Sequence, residues 1–127
     1  MSKFTSNRGP RTTAVHAGEA PDPVTRASAP NIVMSSTYLM DAPAGFSAHN
    51  LEDESPYIYS RWGNPTTAQL EAKLAAMEGG EAALALASGM AASAAVLLSV
   101  LSQGDHLVIS DTNYAGTAEL ALSLIHI

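Results

Sequence analysis

The sequence predicts an α/β fold with a parallel sheet, preceded by a long extended arm. Three observations carry that expectation: a well-bounded helix signal beginning at Asn64-Pro65, a strand–helix–strand pattern across residues 82–110, and the lack of any sustained period before residue 60. Residues 1–60 are therefore expected to form the arm, and residues 61–127 the start of a larger domain.

Within the arm, prolines recur at Pro10, Pro21, Pro23, Pro30, Pro43 and Pro56, and no helical or alternating pattern lasts more than a few residues. Residues 31–38 are its best candidate for a short strand, and Glu52-Asp53-Glu54 has the composition of a solvated turn. Tyr57, Tyr59 and Trp62 cluster at its end, and clustered aromatics need something to pack against.

At Asn64 the pattern changes. Asparagine is a good helix cap, and proline suits the first helical position, where its missing N–H costs nothing. Leu70, Leu74 and Met77 follow at i, i+4, i+7 as one apolar stripe, and Gly79-Gly80 ends the helix. Residues 82–87 then form an uninterrupted apolar run, suited to a strand covered on both faces. Ser88-Gly89 breaks the run, residues 90–101 read as a buried helix stopped by Gly104-Asp105, and residues 106–110 are rich in β-branched and aliphatic residues. Strand, helix and strand within about thirty residues make a βαβ unit with a right-handed crossover and parallel strands.

Composition limits the function classes. The 127 residues are 46% hydrophobic and 14% charged, a globular balance. Much of the apolar content is alanine, so the expected core is thin. A formal charge of −6 argues against nucleic acid or an anionic membrane as partner. The absence of cysteine removes disulfides and thiolate metal sites, and fits a reducing, cytoplasmic setting. Residues 82–101 carry no charge over roughly the length of a spanning helix, but the run is alanine-rich, contains Ser88, Ser93 and Ser99, and is flanked by acidic rather than basic residues. A buried strand plus helix is the better account. His16, His49 and His106 show no metal-ligand spacing.

Chemistry is expected where parallel strands end and helices begin. At Ser88-Gly89-Met90 the helix would present unpaired N–H groups and the positive end of its dipole, with Ser88 as a hydroxyl donor and Gly89 allowing close approach. Local evidence leaves open whether this is an anion site or simple capping by Ser88. Other phosphate motifs are missing: there is no Gly-Lys-Ser/Thr and no GxGxxG, and Leu86 stands where a nucleophile elbow needs glycine. The second junction, residues 111–117, would place Tyr114 beside the first. A third feature is Tyr59 and Arg61, two apart and therefore on one side of an extended backbone, where a phenol and a guanidinium can both donate to phosphate.

In this order Tyr59-Ser60-Arg61-x-x-Asn64-Pro65-Thr66, Ala87-Ser88-Gly89-Met90-Ala91 and Tyr114-x-Gly116-Thr117 resemble the Cys/Met-metabolism family of pyridoxal-phosphate (PLP) enzymes. That family includes cystathionine γ-synthase, cystathionine β- and γ-lyases, methionine γ-lyase and O-acyl-homoserine sulfhydrylases. The arm agrees, through the stretches around His16 and Tyr38, so the resemblance runs from about Thr13 to Thr117. It implies the PLP-dependent transferase fold type I, working as homodimers or dimer-paired tetramers. It also implies that Gly89 and Met90 amides, with Ser88, hold the cofactor phosphate. Tyr59 and Arg61 would reach the same phosphate in a neighbouring subunit's site, and Tyr114 would stack on the pyridine ring and assist proton transfers. Ala115 departs from the family's usual glycine, which would shift that loop slightly and leave the stacking role in place.

The resemblance also exposes what is missing. PLP enzymes need a lysine to hold the cofactor covalently. Lys73 falls on the helix and Lys3 in the N-terminal tail, and neither has the family's Ser-x-Thr-Lys context. Residues 122–127 do not resemble the family's continuation, which suggests a premature end with a non-native tail. The expectation is an N-terminal fragment of a transsulfuration-type enzyme acting on cysteine- or homoserine-derived amino acids, inactive alone. The alternative is a non-catalytic piece that pairs with full-length subunits through its arm.

Overall fold

The computed structural model describes residues 9–40 and 57–124. Pro43, Pro56, His49, Lys3, His126 and the acidic run at Glu52 lie outside them. The chain divides into two compact units on either side of the Leu84–Ala85 bond. The first contains helices α1 (Pro10–His16) and α2 (Pro65–Glu78), and the second contains α3 (Gly89–Val100) and α4 (Ala115–Leu124).

Helix α1 lies in the segment expected to be wholly extended, which is a correction. Seven residues are too few to show a helical period, and so short a helix is marginal unless it docks on something. It packs on α2. The chain leaving α1 turns at Gly18 in the left-handed region, φ 72°. A Cβ there would sit 2.8 Å from the Gln69 carbonyl oxygen and 3.1 Å from the Lys73 amide nitrogen, so only glycine lets the turn lie against α2. Lys73 closes the joint. Its Nζ donates to the Val15 carbonyl at 3.2 Å and pairs with Glu19.

Helix α2 has the predicted boundaries. Asn64 Oδ1 accepts from the Thr66 and Thr67 amides at 2.8 and 3.3 Å, and Pro65 opens the helix. Gly79 ends it at φ 68°, and Gly80 N–H closes on the Ala75 carbonyl at 2.9 Å. The buried residue is Ala75, whereas the Leu70–Leu74–Met77 stripe stays exposed in this chain.

The arm crosses to the segment before α2. Of the short strand expected at residues 31–38, only an antiparallel bridge between Thr37 and Tyr59 forms. Tyr38 N–H donates to the Ile58 carbonyl (3.1 Å) and Ser60 N–H to the Ser36 carbonyl (2.8 Å). The aromatic cluster does find packing: Tyr38 and Tyr57 lie 5.6 Å apart, and Trp62 meets Tyr59 edge-on at 6.2 Å.

In the second unit, α3 packs on α4. The segments 82–87 and 106–110, expected as parallel strands, form no ladder, and no named strand occurs among the described residues. A strand is defined by its partner, and an apolar run reports burial preference rather than pairing. Leu84 and Val108 are accordingly exposed. Nor is α3 a buried helix: none of its residues is buried, because α4 covers only one side of it. It ends at Val100, followed by a turn in which Gly104 takes φ 98° and Asp105 accepts from the Ser102 amide at 2.7 Å. The buried apolar residues described are Ala17, Ala75 and Ala121, the thin alanine core that composition predicts. No described helix is long and apolar enough to cross a membrane.

Candidate functional site

Ser88 resolves the capping question at the start of α3 in a specific way. Its backbone is extended (φ −157°, ψ 158°), and its Oγ accepts from Ala91 N–H, the third amide of the helix, at 3.1 Å. The first two amides, Gly89 and Met90, have no acceptor among the described residues. Capping and anion binding are thus compatible. The serine oxygen serves one amide as acceptor and keeps its own proton to donate, while two amides at the positive end of the helix dipole stay available. A Cβ at Gly89 would meet nothing within 4 Å, so the space beside these amides is open.

Tyr114 stands immediately before α4, where its carbonyl accepts from the Thr117 and Ala118 amides at 2.9 and 3.2 Å. The residue is 70% exposed. Gly116 sets where the Tyr114 ring lies. A Cβ there would fall 2.7 Å from Tyr114 Cε1 and 3.0 Å from Met90 Sδ, so ring and thioether flank the same glycine. The second helix start is thereby brought to the first, and Met90 belongs to both. Ala115 opens α4 without a positive φ, so a Cβ is accommodated there without strain.

Tyr59 and Arg61 lie in the other unit. The extended backbone expected for them is corrected to a turn: the Tyr59 carbonyl accepts from Trp62 and Gly63 N–H at 2.9 and 3.2 Å. The two side chains still meet, with the Arg61 guanidinium 5.1 Å from the Tyr59 ring centroid, a cation–π contact. Lys73, tied to Val15 and Glu19, has a structural role.

Two residues of the motifs do more than the sequence shows. Gly116 had a visible signal, a glycine two positions after an exposed aromatic. Asn64 was legible only as a cap, although its Nδ2 also donates to the Val33 carbonyl (3.0 Å) and to Tyr38 Oη (3.2 Å).

Comparisons with known proteins bear on the family and the fold. The family model described as Cys/Met metabolism PLP-dependent enzyme matches residues 11–126. The chain is 46% identical over 112 residues to a cystathionine gamma-synthase of Mycobacterium tuberculosis, covering 88% of this chain and 27% of that protein. It is 42% identical over 116 residues to an L-methionine gamma-lyase of Fusobacterium nucleatum, covering 91% and 29%. Among solved structures, metB from Corynebacterium glutamicum matches with a TM-score of 0.81 at 34% identity, covering 94% of this chain and 29% of that one. A cystathionine gamma-lyase from Micromonospora echinospora matches with a TM-score of 0.76 at 36% identity, over 94% and 29%. The chain therefore spans somewhat over a quarter of the length of these relatives, and it follows the N-terminal part of the PLP-dependent transferase fold type I. With the motifs in order and the match running nearly end to end, the chain belongs to the Cys/Met metabolism family of PLP-dependent enzymes.

Proposed function

We propose that this chain is the cofactor-phosphate portion of a PLP-dependent enzyme of sulfur amino-acid metabolism. The enzyme would eliminate or replace a β- or γ-substituent on a cysteine- or homoserine-derived amino acid. The observation that carries this reading is the pair of unpartnered amides at Gly89 and Met90, open to approach and adjoined by the exposed ring of Tyr114. A phosphate monoester fits that donor set, since it brings negative charge to the positive end of a helix and accepts from amides and a hydroxyl together.

In this reading Gly89 and Met90 N–H groups and Ser88 Oγ–H bind the phosphate, and the Tyr114 ring supports the pyridine face. The Tyr114 hydroxyl moves protons on and off the substrate. Tyr59 and Arg61 donate to the phosphate in a neighbouring subunit's site within a homodimer or tetramer. PLP, when bound, supplies an electron sink for negative charge developing on the substrate carbons. The assignment to the cytoplasm rests on the lack of cysteine.

The chain alone is proposed to be inactive. Lys73 is held by Glu19 and Val15, and Lys3 lacks the family's lysine context. Incubation of the purified 127-residue chain with PLP and borohydride, followed by peptide mass mapping, tests this. The expected result is no pyridoxyl adduct beyond that of an unrelated protein of equal lysine content. Stoichiometric labelling of Lys73, with release of sulfide from an amino acid, would overturn it.

A further inference from the structure

We propose that Asn64 is a positioning residue that locks the Tyr59–Arg61 turn against the N-terminal arm. Its importance for the phosphate rests on the reading of Tyr59 and Arg61 given above. The carboxamide of Asn64 is used at both ends. Oδ1 accepts from Thr66 and Thr67 N–H at 2.8 and 3.3 Å, and Nδ2 gives its two protons to the Val33 carbonyl at 3.0 Å and Tyr38 Oη at 3.2 Å. This orientation is fixed by chemistry, because reversing the amide would set its oxygen against a carbonyl and its NH₂ against two backbone N–H groups. Thr66 adds a parallel tie, its Oγ1 accepting from Val33 N–H at 2.9 Å.

On the other side of the turn, the Thr37–Tyr59 bridge fastens the same stretch of arm through Tyr38 N–H to Ile58 and Ser60 N–H to Ser36. Residues 59–63 are thus anchored at both ends to residues 33–38. With both ends fixed, the short turn has little freedom left, and Arg61 stays over the Tyr59 ring with Trp62 at its edge. Gly63 tightens the turn further, since a Cβ there would already stand 3.3 Å from Tyr57 Cδ1. One side chain therefore both starts α2 and sets the geometry of the proposed cross-subunit phosphate grip.

Cap and clamp can be separated. Asn64→Asp keeps a capping oxygen and has no donor, and Asn64→Ser keeps a capping oxygen but loses the NH₂ that joins Val33 to Tyr38, whereas Asn64→Ala loses both functions. The experiment is amide hydrogen exchange by NMR on the 127-residue chain, with the Trp62–Tyr59 ring Overhauser contact as a second readout. In both cap-preserving variants, exchange at Tyr38 and Ser60 should rise by about tenfold or more, the scale of one or two lost hydrogen bonds, and the ring contact should weaken. The amide of Ala68, inside α2, should keep its protection. Unchanged exchange at Tyr38 and Ser60 in both variants overturns the inference, as does loss of protection at Ala68 to the same degree. PLP titration of the wild-type chain is read separately: Tyr59 and Arg61 resonances that ignore the ligand while the clamp behaves as described count against the phosphate reading and leave the clamp standing.

Discussion

The two units are held together by different means. The first is tied by polar links between residues far apart in sequence: Lys73 to Glu19 and Val15, Asn64 and Thr66 to Val33, and Ser60 to Ser36. In the second, the side-chain hydrogen bonds described run between near neighbours, such as Ser88 with Ala91, Ser102 with Asp105 and Ser110 with Thr112. Its two helices pack on each other, and Val96, Leu98 and Val100 of α3 remain exposed. The lesson is that an arm without periodicity can be the better-specified region. Directional bonds fix it to one place, whereas an uncharged, mostly apolar helix with a single packing partner is left with surface that still favours burial.

This comparison is broken most sharply at Gly18. Gly18→Ala combines a left-handed backbone with a Cβ 2.8 Å from the Gln69 carbonyl oxygen, and should destabilise the first unit by about 3 kcal/mol. Urea denaturation followed by Trp62 fluorescence should move to lower midpoint, while exchange protection in α3 and α4 is unchanged. In the second unit the corresponding change is Gly116→Ala, which should cost about 1–3 kcal/mol and displace the Tyr114 ring from Met90. Loss of Overhauser contacts between the Tyr114 ring and the Met90 methyl would report it. Ser88→Ala should weaken α3 by about 1 kcal/mol, visible as faster exchange at Ala91 and Ala92.

The smallest effect is expected at Asp22, in the arm. Its carboxylate accepts from Thr25 N–H and Oγ1, from Val24 N–H and from the Asn31 side chain, and the Thr25 backbone hydrogen bond leads in holding its pKa below the usual value. A depressed folded-state pKa contributes stability above the unfolded value that is lost as pH falls through the folded one. Acidification below the ordinary carboxylate range should therefore lower the protection of the Val24 and Thr25 amides relative to intrinsic exchange at the same pH, and Asp22→Asn should remove that change in protection.

Legibility in the sequence followed the range of the interactions. Helix α2 could be placed from Asn64 to Gly79 because cap, first-turn proline and C-terminal glycine all act within a few residues. The start of α3 at Ser88-Gly89 and the three motifs were legible for the same reason. Strands at 82–87 and 106–110 were not, because pairing is a tertiary property that an apolar run does not encode. Helix α1 was hidden because docking on α2, rather than periodicity, sustains it. The Tyr59 turn was misjudged as extended because the bonds that shape it come partly from Ser36 and Tyr38, some twenty residues away.

The central claim is that Gly89 and Met90 N–H groups form a phosphate cup beside Tyr114. Titration of the ¹⁵N-labelled chain with PLP, and separately with inorganic phosphate and with pyridoxal, tests it most directly. PLP and phosphate should both shift the Gly89 and Met90 amides more than Ala91, whose proton is already taken by Ser88, and only ligands carrying the ring should perturb Tyr114. Shifts confined to residues outside 88–91, or equal shifts with pyridoxal and PLP at Gly89 and Met90, would contradict the account.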